Sequence, residues 1–105
     1  VQVVKAVEVL VSVLPASPDL VQLLLRLLPR FPGDGPLFWL LPLLIRALFT
    51  SQPVAPVADW VAVVGLAQRV SGGSAAAVAR RGAEMHPWSR QLWQLHLETA
   101  GRVLG

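Results

Sequence analysis

Pro87-Trp88-Ser89-Arg90-Gln91-Leu92-Trp93-Gln94-Leu95-His96-Leu97 is the stretch on which the fold reading turns. Its counterpart stands 72 residues earlier, at Pro15-Ala16-Ser17-Pro18-Asp19-Leu20-Val21-Gln22-Leu23-Leu24-Leu25, and six of the eleven positions are identical. The shared residues are Pro, Ser, Leu, Gln, Leu and Leu. A hydroxyl followed by apolar residues at helical spacing is a helix start. An offset of 72 is two units of 36, and Trp60 lies 39 residues after Val21 and 33 before Trp93. A period in that range belongs to solenoids built from helix pairs.

Outward from these two stretches, the punctuation divides the chain into six helices. Nine prolines and eight glycines fall mostly between apolar runs, and Pro is tolerated only in a helix's first turn. The predicted helices cover residues 1–14, 18–30, 36–50, 56–70, 75–85 and 88–103. In the first, Val3, Val4, Val7, Leu10, Val11 and Leu14 keep the three-and-four spacing. Its valines also suit a strand, but its length favours a helix. Ser17-Pro18-Asp19 opens the second with a hydroxyl cap, a Pro and a first-turn acid. The third is apolar nearly all round, which predicts a buried position, and Pro42 inside it predicts a kink or a broken turn. Residues 51–55 form a linker, Pro56 opens the fourth helix, Ser74 caps the fifth, and Pro87 ends it and opens the sixth. Short loops make consecutive helices antiparallel neighbours. The expected fold is therefore all-α, with helix pairs stacked as a right-handed solenoid of about three units. Residues 1–105 read as a single segment of a longer solenoid.

Composition agrees with a stacked piece. The chain is 54% hydrophobic and 14% charged, against about 25% charged in an ordinary soluble domain. A single helix pair cannot bury its own apolar face, so pairs stack, and an internal piece keeps apolar faces at both ends. Disorder is excluded by the wealth of Leu and Val. The absence of Cys excludes a disulfide framework, a thiolate metal site and a Cys nucleophile. A membrane helix needs about 20 apolar residues, whereas the runs 9–18 and 35–45 end at Asp19 and Arg46. No membrane span is therefore expected. The chain begins at Val1 without a charged segment ahead of an apolar one, so no signal peptide is seen, and the sequence reads as an excised or processed piece.

Residues 60–101 resemble a HAT repeat, the tetratricopeptide-like unit of RNA-processing scaffolds. Trp60 takes the place of the family's first-helix Trp. Ala75, Arg81, Gly82 and Pro87 fit the second helix, and Trp93 fits the Trp of the next unit. Val63 and His96 stand where the family carries an aromatic, and Ala67 or Gln68 replaces its acidic residue. Residues 1–51 keep only the helix-pair spacing and a Pro, so plain tetratricopeptide or HEAT-like packing stays open beside it. The resemblance implies a nuclear setting in RNA processing. Independently of the name, Trp60 and Trp93 are expected to plug the groove within a helix pair. Ala75, Ala79 and Gly82 would let the partner helix approach.

Catalytic constellations are not apparent. His86 and His96 are ten residues apart, beyond one helix face, and the six carboxylates are scattered. No metal, cofactor or enzymatic activity is expected. Ser71-Gly72-Gly73-Ser74 precedes a helix but lacks the Lys-Ser/Thr of a phosphate loop. The net charge is +3, and five of the nine basic residues lie in the last 37. Arg80, Arg81 and Arg90 beside Trp88 make the basic and aromatic cluster, which permits RNA contact without sequence specificity. The favoured expectation is a non-catalytic scaffold that docks a partner peptide or helix, another subunit, or flanking repeats of its own chain. Trp39, Trp88, Arg80 and Arg90 are its candidate partner-binding residues. The alternative is a membrane- or lipid-associated protein using the apolar block 37–49.

Overall fold

The computed structural model describes the backbone of residues 2–13, 17–28 and 35–104, and their side chains apart from residues 2–4, 7, 8, 10, 36, 37, 103 and 104. Within these residues the chain is all-helical, as its spacing predicts. The helices are α1 (Gln2–Val13), α2 (Pro18–Leu27), α3 (Gly35–Thr50), α4 (Val57–Gln68), α5 (Gly72–Met85) and α6 (Arg90–Leu104). Pro15, Arg30 and the predicted loop 31–34 lie outside the described residues, as do most side chains of the predicted apolar face of α1.

Serine sets the start of three helices. Ser17 holds the extended backbone of a cap and accepts the Leu20 N–H on its Oγ at 3.3 Å, with Pro18 in the first position. Ser71 accepts the Ser74 N–H at 3.4 Å. Ser89 accepts the Leu92 N–H at 3.3 Å. Two expectations are corrected here. The cap of α5 is Ser71 rather than Ser74, so the helix starts at Gly72 and takes both glycines into its first turn. The sixth helix starts at Arg90, because Pro87 and Trp88 form a turn closed by the Ser89 N–H on the His86 carbonyl at 2.9 Å. Pro56 likewise caps α4 from outside, with φ −67° and ψ 160°. A proline's fixed φ suits that position as well as the first helical one.

The chain divides into two compact units, Val1–Ala55 and Pro56–Gly105. In the first, α3 packs against α1 and α2. Leu20, Val21 and Leu24 of α2 are buried, as are Leu40, Leu41, Leu44, Ala47 and Leu48 of α3. The expected all-round burial of α3 does not hold: Phe38 is 62% exposed, and Pro42, Arg46 and Thr50 continue its exposed stripe. Pro42 does not break the helix. It cannot donate to the carbonyl one turn back, and on the exposed side water can solvate that carbonyl instead.

In the second unit α5 packs against both α4 and α6, and α4 also meets α6. Trp60, Val63, Val64 and Ala67 of α4 are buried, with Ala75, Val78, Ala79 and Ala83 of α5 and Leu92 of α6. Thr99 is buried too, its hydroxyl donating to the Leu95 carbonyl at 2.7 Å. The three helices converge on Gly82. A Cβ there would stand 3.1 Å from Trp60 Cε3 and 3.2 Å from Leu92 Cδ2. Both neighbours are fully buried, so each must shift by a few tenths of an ångström within the core to admit a methyl group. Gly82→Val is therefore expected to destabilise the chain by about 1–3 kcal/mol, overpacking outweighing the gain in helix propensity. Urea unfolding followed by tryptophan fluorescence reads this. An unchanged or raised midpoint would show that α5 has room to move away from Trp60.

Candidate functional site

The turn between α5 and α6 brings together the aromatic residues of the second unit. His86 ends α5, its N–H donating to the Gly82 carbonyl at 2.9 Å. Pro87 follows, so the helix cannot continue. Trp88 projects from the turn and is 76% exposed. Its indole stands at 86° to the His86 ring with centroids 5.2 Å apart, an edge-to-face arrangement that favours one orientation. One turn into α6, Trp93 is 41% exposed. Its Nε1–H donates to the Pro87 carbonyl at 2.8 Å, and the His96 ring meets it at 5.9 Å and 61°. Both large side chains are thus held from within while their faces meet solvent.

Leu97 continues the surface. It is 69% exposed, one turn beyond Trp93. At 100° per residue Arg90, Trp93, Leu97 and Gly101 span about 80° of arc. Leu92 and Thr99, both buried, lie on the opposite side. Helix α6 therefore has one broad apolar arc, buried over Leu92 and exposed along its edge at Trp93 and Leu97. An isolated exposed leucine is ordinary on a protein surface, but two indoles and a leucine on adjacent turns form a patch of the kind that marks interaction surfaces.

The expected partner-binding residues separate on inspection. Trp88 and Arg90 belong to this surface, and Arg90 is exposed. Arg80 is exposed on α5, but its Nε pairs with Glu84 Oε1 at 3.2 Å. Arg81 pairs with the other Glu84 oxygen at 3.5 Å. Trp39 is half-buried on α3 in the first unit. Among the expected structural positions, Trp60, Ala75 and Gly82 are buried, while Arg81 and Pro87 are exposed. Trp93, expected to plug a groove, is 41% exposed, with its Nε1–H on the Pro87 carbonyl. Leu97, read from sequence as one of the apolar set of α6, belongs to the exposed stripe. Part of the signal is present in the sequence: a 100° projection of residues 90–104 gives one apolar arc about 200° wide, broader than one packed face, with Leu92 near its middle and Trp93 and Leu97 toward one edge.

The carboxylates and histidines are not gathered. Among the described residues no group of three or more His, Asp or Glu is placed to hold a metal ion. Asp59 is buried in the first turn of α4. The Gly72-Gly73 turn is occupied by the Ser71 cap. No protein-family model, curated protein or solved structure matches the chain.

These placements predict opposite outcomes for two tryptophans. Trp60→Ala should lose about 3–5 kcal/mol of stability, as fully buried aromatics do. Trp88→Ala should change it by about 0.5 kcal/mol or less, as exposed substitutions do. Denaturant unfolding of the two variants checks the contrast, and equal losses would mean that the Trp88 indole is part of a core.

Proposed function

We propose that the chain is a non-catalytic interaction scaffold whose second unit docks a partner protein along Trp88, Trp93 and Leu97. The observation that carries this reading is the exposure of all three within the α5–α6 turn and the first two turns of α6. Large aromatic side chains already held in place lose little freedom on binding, and Trp and Arg are the residues most often dominant in interfaces.

Two further observations support a helical-repeat scaffold. The large-against-small packing of Trp60 on Gly82 is what a HAT- or tetratricopeptide-like helix pair would require. The matching stretches also behave alike, since Ser17 and Ser89 cap their helices, and Leu20 and Leu92 three residues later are buried. Stacking of such pairs as a right-handed solenoid, with flanking repeats as neighbours, is part of the proposal. An RNA-processing assembly in the nucleus rests on the sequence resemblance alone.

The lipid alternative draws less support. Leu40, Leu41, Leu44 and Leu48 of the block 37–49 are buried within the first unit, and among its described side chains Phe38 is the large exposed apolar one. No helix among the described residues is long and apolar enough to cross a membrane.

The test is affinity purification of the intact parent chain, with and without nuclease, beside its Leu97→Asp variant. The proposal expects nuclease-resistant protein partners that the variant loses. Its unfolding midpoint should stay close to wild type, because Leu97 is a surface position. Partners retained by a folded variant, or lipid recovered in their place, would remove the surface from consideration.

A further inference from the structure

We infer that the α5–α6 surface recognises an acidic amphipathic helix or peptide, one that sets aliphatic side chains against Trp93 and Leu97 and a carboxylate against Arg90. The inference rests on the docking reading above and deepens it by naming the partner's chemistry.

Charge decides between the classes of occupant. The second unit carries adjacent arginines at Arg80 and Arg81, but both face Glu84 at 3.2 and 3.5 Å. Arg90 is different. It is exposed at the first position of α6, and among the described residues no hydrogen bond or ion pair engages its guanidinium. It lies two residues after Trp88 and one helical turn before Trp93. A partner that covers Trp93 and Leu97 would shield this cation from water, and a carboxylate it brings there would then have more effect than in open solvent. A basic partner would meet this cation without compensation.

The same geometry disfavours a single-stranded nucleic acid. Such ligands need a track of cations along the phosphates and aromatic rings at successive bases. Here Arg80 and Arg81 are paired with Glu84, and Leu97 offers no ring.

The far end of the surface is shaped for close approach. Gly101 is exposed one turn past Leu97, and a Cβ built there meets nothing within 4 Å. A larger residue at this position therefore leaves the fold's own packing untouched and intrudes on whatever lies along the stripe. Gln at a helix-interior glycine also raises helix propensity.

The experiment is a display selection of 15-residue peptides against the 105-residue chain. Each peptide carries Leu at helical spacing and random residues elsewhere. Counter-selection uses the Leu97→Asp variant, with circular dichroism verifying that each variant is folded. The expected binders are enriched in Asp and Glu over Lys and Arg. Their affinity should fall about tenfold or more in Arg90→Glu, as one unpaired interface charge contact predicts, and also in Gly101→Gln. Lys-rich peptides should gain affinity for Arg90→Glu, the reversal that a charge contact requires. Binders lost in Leu97→Asp but with no acidic preference would overturn the inference and leave the docking reading standing. Binders indifferent to Leu97→Asp would overturn both. A labelled 12-residue oligouridylate bound through Arg90, and not displaced by the selected peptides, would overturn the inference in favour of nucleic acid.

Discussion

The second unit depends on the absence of one side chain. Gly82 brings α5 close enough for its backbone to lie against the buried Trp60 indole of α4 and the Leu92 side chain of α6. Substituting an indole's width with methyl groups elsewhere would not reproduce this, because the constraint is on distance between helices rather than on volume alone. Glycine weakens an isolated helix by about 1 kcal/mol relative to alanine. Here the packing of a large aromatic in a dry site offsets that loss, which makes Gly82 a position where local propensity and tertiary packing disagree and packing prevails.

This constraint also determines what faces outward. Leu92 must point at Gly82, and Thr99, two turns on, follows it into the core. A helix has one rotation, so Trp93 and Leu97 are turned to the other side. Pro87 ends α5 and offers its carbonyl to the Trp93 indole. Trp88 is then carried out on the turn with the His86 ring perpendicular to it. The exposed patch is thus a consequence of core registry in α6, with the turn's own contacts holding the indoles.

Helix number and approximate extent were legible from apolar spacing and proline placement, and the two matching stretches identified serine-capped helix starts. Less legible were the features decided by competition between equivalent candidates. Ser71 and Ser74 are both hydroxyls before an alanine run. The first prevails because a cap needs extended backbone, and capping there adds three residues to α5. Pro42 predicts a kink or a broken turn, yet a proline on an exposed stripe leaves its unmatched carbonyl to water, and the helix runs on. Trp93 is indistinguishable in type from Trp60. Its exposure follows from the registry that puts Leu92 in the core, and the bond from its indole to the Pro87 carbonyl, six positions back, is a contact that periodicity does not contain.

The basic cluster teaches a related lesson about charge. Read along the chain, Arg80-Arg81 and Arg90 form one positive group. In space a single glutamate changes their standing, since Glu84 lies three and four residues beyond the pair and helical geometry brings it to both. These are exposed pairs of small energetic consequence for folding, but their effect on recognition is larger. They lower the positive field on α5 and leave the guanidinium of Arg90 as the cation on the apolar stripe. Under the docking proposal, a surface with one cation among indoles and a leucine would select by the match of a single charge to an apolar anchor. That is the chemistry of a protein partner more than of a polyphosphate backbone, whose affinity grows with the number of cations it meets.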